Sequence, residues 1–290
     1  MWASRVSGRV SGASRDWARG GGGRDACAVA IVGLIVRLGL IAVAALLVPR
    51  LALAGCAPIA WGAPRVMLAS TAPDGLRITF LGHASFLIET PQGVRAVTDY
   101  NGMNVPDDPP DIATMNHAHP SHYTDHPDPR IKHVLHGWRD DGKPAQIDLV
   151  FRDLHVSNLP TNIRDWQGGT EYYGNSIFLF EGAGLCVAHL SHLHHLLTGQ
   201  DLAALGHIDV VMAPVDGIYT MSQPDMVKVL DELQPRVVMP MHYFTRDVLE
   251  QFLALEKDRF AVREFSPPTA VVSRATLPAK PEIWVLPGGY

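Results

Sequence analysis

Histidine is concentrated where apolar runs end. NHAHPSHYTDH (116–126) holds His117, His119, His122 and His126. HLSHLHH (189–195) holds His189, His192, His194 and His195, and His242 directly follows RVVMPM. Each segment comes after a short β-rich stretch: DIATMN (111–116), NSIFLFEGAGLCVAHL (175–190) and RVVMPM (236–241). In a layered α/β fold such strand ends converge on one rim, and sites form there. A chain with this pattern is expected to bring three distant histidine segments to one sheet edge. His117 and His119 are two apart, so in an extended segment their imidazoles would point the same way. Two imidazoles on one side are half of a tetrahedral metal site.

The remaining elements fit that architecture. LRITFLG (76–82), SFLIET (85–90), VRAVTD (94–99) and IKHVLH (131–136) are short β-rich runs bounded by turn residues. IDVVMAP (208–214) and RVVMPM are continuous apolar runs, as expected of strands buried on both faces. SQPDMVKVLDEL (222–233) reads as a helix capped by Ser222. TRDVLEQFLALEKD (245–258) reads as a helix with Val248, Phe252 and Leu255 on its buried face. Strands first, then alternating strands and helices without repeats, predict one α/β sandwich over residues 65–290.

Charge argues against one partner class. The first fifty residues carry seven Arg and two Asp, net +5; with −5 overall, the remainder is −10. An acidic body without a basic stripe is no nucleic-acid binder, and a small-molecule substrate is expected instead. Residues 1–25, rich in Gly, Ser and Arg, read as disordered. Two apolar runs around Arg37 follow, then ALAGC (52–56). Together they read as a signal or anchor segment over 1–64, with cleavage after Ala54 or lipidation of a lipobox-like Cys56 as alternatives. Export or membrane attachment, periplasmic or lipid-anchored, is the expectation; a mis-assigned start codon would leave the chain cytoplasmic. With the body taken from residue 65, Cys186 has no intramolecular disulfide partner.

ITFLGHASFLIET, Asp99, NHAHPSH, GLCVAHLSHLHH, IDVVMAPVDGIYTM and VVMPMHYFT resemble, in order and spacing, the metallo-β-lactamase-fold hydrolases. The similarity is to the branch that includes L-ascorbate-6-phosphate lactonase. The resemblance implies a four-layer αββα sandwich with the metal at one edge. It implies that Asp99 supports the histidine loop without binding metal, and that His83, in GHASF, sits near the rim. The departures are as informative. The family's H-x-H-x-D-H motif here has Ser121 in place of Asp. Its H-L-G-D-L-G-H motif has His192 where an Asp bridges two metals. No histidine stands in LPTNIRDWQGG (159–169), while the final histidine is kept as His242.

Two divalent cations about 3.5–4 Å apart need anionic ligands between them. With both carboxylates replaced by neutral groups, one tightly bound metal is expected, with His117, His119, His122, His192 and His242 as the ligand pool. Imidazole ligation suits Zn²⁺, with Fe²⁺ or another divalent metal as the alternative. The function that the resemblance implies is a metal-dependent hydrolase, expected to act on an ester, lactone or phosphoester. A metal-activated water would attack, and His195 or Asp125 would serve as acid or base. The alternatives are a non-hydrolytic metal-dependent oxidoreductase and a catalytically silent metal-binding protein on the same fold. Tyr172, Tyr173 and Arg164 are either ligand contacts or loop packing.

Overall fold

The computed structural model describes Cys56, residues 75–165 and residues 167–288. The N-terminal disordered stretch, the apolar runs and the 64/65 boundary lie outside the described residues.

Strands β1 (Leu76–Gly82), β2 (Ser85–Glu89), β3 (Arg95–Val97), β4 (Ile112–Met115) and β5 (His133–His136) come first. Then follow β6 (Asp148–Phe151), β7 (Leu154–Arg164), β8 (Thr170–Gly182) and β9 (Leu185–His189). The chain next alternates through α1 (Gly199–Leu205), β10 (Val210–Pro214), α2 (Gln223–Leu233), β11 (Val237–Met241) and α3 (Arg246–Glu256). It closes with β12 (Ala261–Glu264), β13 (Thr269–Val272) and β14 (Glu282–Val285). One sheet has the order β13-β1-β2-β3-β4-β5 and the other β12-β14-β11-β10-β9-β8-β7-β6.

The expected two-sheet sandwich is present. Leu76, Ile78, Phe86 and Ile88 of the first sheet share one buried cluster with Phe178, Phe180, Val187 and Met212 of the second. Burying that apolar surface stabilises the sandwich, by about 25 cal/mol per Å² removed from water. β9, β10 and β11 run parallel, with His189 beside Met212 and Pro214 beside Met241. Their fully buried residues explain the uninterrupted apolar sequence.

Among the described residues, the helices pack on the eight-stranded sheet, through Leu205, Met226, Leu230, Leu249 and Phe252. The outer face of the other sheet is covered by Tyr100, Ile131, Tyr123 and Trp138 from connecting segments. None of the described helices is long and apolar enough to cross a membrane.

Ser222 caps α2 by accepting from Asp225 N–H, as expected, and Thr245 caps α3 by accepting from Val248 N–H. The buried face of α3 differs from expectation. Leu249, Phe252, Leu253 and Glu256 face inward, and Leu255 is exposed. The apolar residues of this helix span more than one stripe, and contact with α2 and the sheet selects among them. β6, β7, β12, β13, β14 and α1 carried no clear periodic signal. The exposed and half-buried pattern of β6 and β12 explains why.

The cysteine reading is corrected. Cys56 and Cys186 form a disulfide, with Cα atoms 5.3 Å apart and 130 positions between them in sequence. Removing the first 64 residues from the fold removed the partner of Cys186. A cysteine in a disulfide has no free thiol for a lipid, so the lipidated alternative for Cys56 conflicts with this pairing.

Candidate metal centre

The site forms where strand ends of the two sheets face each other. The β1–β2 turn presents His83, the segment after β3 presents Asp99, and the loop after β4 presents His119 and His122. Across from them, the segments after β9, β10 and β11 present His192, Asp216 and His242. A backbone hydrogen bond from His242 N–H to the His83 carbonyl, 2.8 Å, ties the two edges together.

His83, Asp99, Ser191 and His242 all have positive φ, between 42° and 54°. Non-glycine residues rarely adopt this region and hold it only where surrounding contacts over-determine them; such positions cluster at functional sites.

Five imidazoles meet here. Nε2 of His119 lies 2.9 Å from Nε2 of His192, and Nε2 of His122 lies 3.2 Å from Nε2 of His242. The His192 ring is 5.1 Å from both the His122 and His242 rings. His83 completes the group, with one nitrogen each of His83, His122 and His242 within 4.8 Å of one another. Around a metal with Zn–N arms of about 2.0–2.1 Å, tetrahedral ligand nitrogens sit about 3.3 Å apart. The paired Nε2 atoms are close to that spacing.

Carboxylates brace two rings from behind. His122 Nδ1 is 2.6 Å from Asp99 Oδ2, and both side chains are fully buried. Ser191 Oγ–H donates to the same oxygen at 2.7 Å, and Asn116 Nδ2–H to Oδ1 at 3.2 Å. His242 Nδ1 lies 3.1 Å from Asp216 Oδ1, in contact but off the hydrogen-bond axis. The other oxygen of Asp216 accepts the backbone N–H groups of Ile218, Tyr219 and Thr220. Carboxylate–histidine pairs of this kind orient an imidazole and leave its other nitrogen for a metal.

Burial favours the neutral form of His83, His119, His122 and His192. Burial, reinforced by neighbouring imidazoles, lowers the pKa of His119, His122 and His192. His83 falls to about 4, through burial and then His242. Neutral imidazoles have the lone pairs that a cation requires. Burial works against ionisation of Asp216, but His242, Thr220 and the Ile218 N–H hold it well below the usual carboxylate range. Burial raises Asp99, with His189, Ser191 and Asn116 opposing. Buried His83 Nε2 and His192 Nδ1 have no hydrogen-bond partner among the described residues. Such atoms are costly unless something absent from the protein satisfies them. The facing Nε2 pairs are the donor set that a bound cation would fit.

The placements sort the sequence expectations. His119, His122, His192 and His242 come together, and Asp99 backs His122 as the resemblance implied. His117 does not join them. Its Nδ1 is 2.7 Å from Glu171 Oε1, and its ring stacks on Trp138. The expectation of same-side imidazoles assumed an extended segment. The loop instead turns, with His122 N–H bonding to the His119 carbonyl and His117 N–H to Gly174. His83, expected only near the rim, takes a place in the cluster.

His195 and Asp125 are not brought to it either. His195 Nε2 accepts Asn162 N–H, and Asp125 lines a groove with Tyr123, His136 and Trp138. His189 is buried against the Ala84 carbonyl. Arg164 reaches the Thr220 carbonyl at 3.5 Å, while Tyr172 is largely exposed. Asp216 was missed. Its only sequence signal was VDG after an apolar strand, a pattern shared with ordinary turns.

Residues 77–242, more than half of the chain, match the beta-lactamase superfamily domain. The chain belongs to the beta-lactamase superfamily. The matched span begins in β1 and ends at His242, so it encloses every residue of the cluster. Similar superfamily proteins include a UPF0173 metal-dependent hydrolase of Methanosarcina mazei, 24% identical over 205 residues, covering 61% of this chain and 86% of that protein. Another is the UPF0173 metal-dependent hydrolase of Carboxydothermus hydrogenoformans, 26% identical over 200 residues, covering 60% and 87%. A solved structure named as a Zn-dependent hydrolase of the metallo-beta-lactamase superfamily, from Thermotoga maritima, matches with a TM-score of 0.53 at 24% identity. That match covers 74% of this chain and 100% of that one, and it agrees with the two-sheet metallo-β-lactamase fold.

Proposed function

We propose that this chain is a hydrolase built on one metal ion, held by His119, His122, His192 and His242. The observation that carries the reading is the convergence of these four imidazoles, two of them braced by buried Asp99 and Asp216. The names of the similar superfamily proteins support hydrolysis as the reaction class. Resemblance to the lactonase branch supports an ester, lactone or phosphoester as substrate.

Charge supports one ion over two. Asp216, and Asp99 once a cation stands beyond His122, would together supply −2, which balances one divalent cation. A second cation would leave +2 uncompensated among neutral imidazoles in a buried site, which is costly. Zinc is the proposed metal, since it accepts imidazole ligands and, held by four of them, would still be able to expand its coordination to admit a water. When bound, it supplies Lewis acidity and a water of lowered pKa.

The chain's own residues do the rest. Asp99 and Asp216 fix the His122 and His242 rings. His83 takes the proton-transfer role expected of His195 or Asp125, because it alone of the clustered imidazoles has neither a carboxylate brace nor a facing Nε2. In ester hydrolysis the acyl C–O bond breaks, water supplies OH to the acyl carbon, and its proton passes through His83 to the leaving oxygen.

Export remains part of the proposal. The Cys56–Cys186 disulfide supports an oxidising compartment, and cleavage after Ala54 would keep Cys56 in the mature chain. Attachment to a membrane would instead require that the N-terminal segment stay uncleaved.

The test is elemental analysis of the untagged full chain, followed by ester and lactone turnover with and without chelator. About one zinc per chain and chelator-sensitive turnover are expected. Two metals per chain would sink the charge argument. Iron in place of zinc, with no hydrolysis, would favour the oxidoreductase alternative.

A further inference from the structure

Two large aromatic side chains stand exposed over the metal centre. Tyr219 is 53% exposed and Phe244 44%. Their ring centroids are 5.6 Å apart. Tyr219 lies 6.3 Å from the His119 ring. Phe244 lies 5.5 Å from His242 and 5.8 Å from His83. The two rings therefore span an arc from one side of the imidazole cluster to the other.

The backbone holds them there. Tyr219 N–H and its two neighbours donate to the Asp216 carboxylate, the group that contacts His242. Phe244 follows His242 by two residues and precedes Thr245, the cap of α3. Neither segment can move far without moving a proposed metal ligand.

We propose that Tyr219 and Phe244 form a specificity wall that selects carboxylic esters or lactones bearing an apolar substituent beside the scissile bond. The proposal rests on the hydrolytic reading and narrows its substrate class. Solvent-facing aromatic area against a polar centre gives an apolar group something to bury against, while the carbonyl faces the imidazoles. Charge points the same way. Asp99 and Asp216 offset one divalent ion, so the centre has little net charge with which to attract a phosphate dianion. Arg164, a cation that reaches this loop, is directed to the Thr220 carbonyl.

The test is calorimetric binding of linear carboxylates, acetate through octanoate, to the zinc-loaded full chain. Carboxylates are the products of such hydrolysis, so binding can be read without turnover. Affinity is expected to rise about threefold per added methylene until the wall is covered. Tyr219→Ala and Phe244→Ala should each weaken hexanoate binding about fivefold while leaving acetate within about twofold. Both positions are exposed, and unchanged melting temperatures would confirm the variants fold. Affinity independent of chain length, the same length dependence in both variants, or no carboxylate binding at all would overturn the wall. Turnover of 4-nitrophenyl esters of the same chain lengths separates the two ideas. Length-dependent binding without turnover would end the hydrolytic reading and leave the wall standing.

Discussion

Replacing His192 or His122 with Ala should reduce bound metal from about one per chain to near none, because either change removes one of the four proposed imidazole ligands. His117→Ala should keep the metal, since the His117 ring is paired with Glu171 and stacked on Trp138. Metal content of the three variants, purified side by side, checks this; loss in His117→Ala would mean the loop rearranges on binding. Asp216→Asn retains the shape of the group but removes its charge beside His242. Metal affinity should fall about 10–100-fold, read by competition with a chromophoric chelator. Both outcomes concern single side chains whose roles were only partly legible in sequence. The histidine types and segments were visible in NHAHPSH and in HLSHLHH. Which histidine turns inward was not, because the i, i+2 rule holds in strands and this loop bends at His117 and Ala118 and turns over residues 120–122.

At the scale of the element, α3 carries a buried carboxyl near its C-terminus. Glu256 is 2% exposed, and Oε1 has no hydrogen-bond partner among the described residues. Burial pushes its pKa from 4.5 up to about 6, with Arg259 opposing. The folded state therefore binds more protons than the unfolded state between those values. Stability contributed by this group is present below about pH 4.5, is lost as pH rises through about 6, and stays lost above it. Glu256→Gln should flatten that slope and raise stability at pH 7 by on the order of 1–2 kcal/mol. Urea melts of both proteins at pH 4.5, 5.5 and 7 check this, and equal slopes would refute it. The strands of this layer were readable as continuous apolar runs, because they are buried on both faces. β6 and β12 were not, because half or more of their residues face solvent.

At the scale of the molecule, the disulfide joins two residues 130 positions apart. Closing so long a loop restricts the unfolded chain strongly, so Cys56→Ser should cost roughly 2–5 kcal/mol of stability. Thermal melting with and without reductant provides the measurement; no difference would mean that the crosslink does not form in solution.

The sequence alone determined the histidine-rich segments, the order of the strands and helices with a clear apolar pattern, and hence the expectation of a metal centre. These are matters of residue type and local periodicity; the missing carboxylates at positions 121 and 192 show only against the motifs of the family it resembles. Only the tertiary structure decided that His83 joins the cluster and His117 leaves it, that Asp216 stands behind His242, that Cys56 pairs with Cys186, and that Tyr219 and Phe244 stand exposed beside the imidazoles. Each of those depends on side-chain direction at a turn or on contact between segments distant in sequence, and neither is encoded in the identity of a residue and its near neighbours.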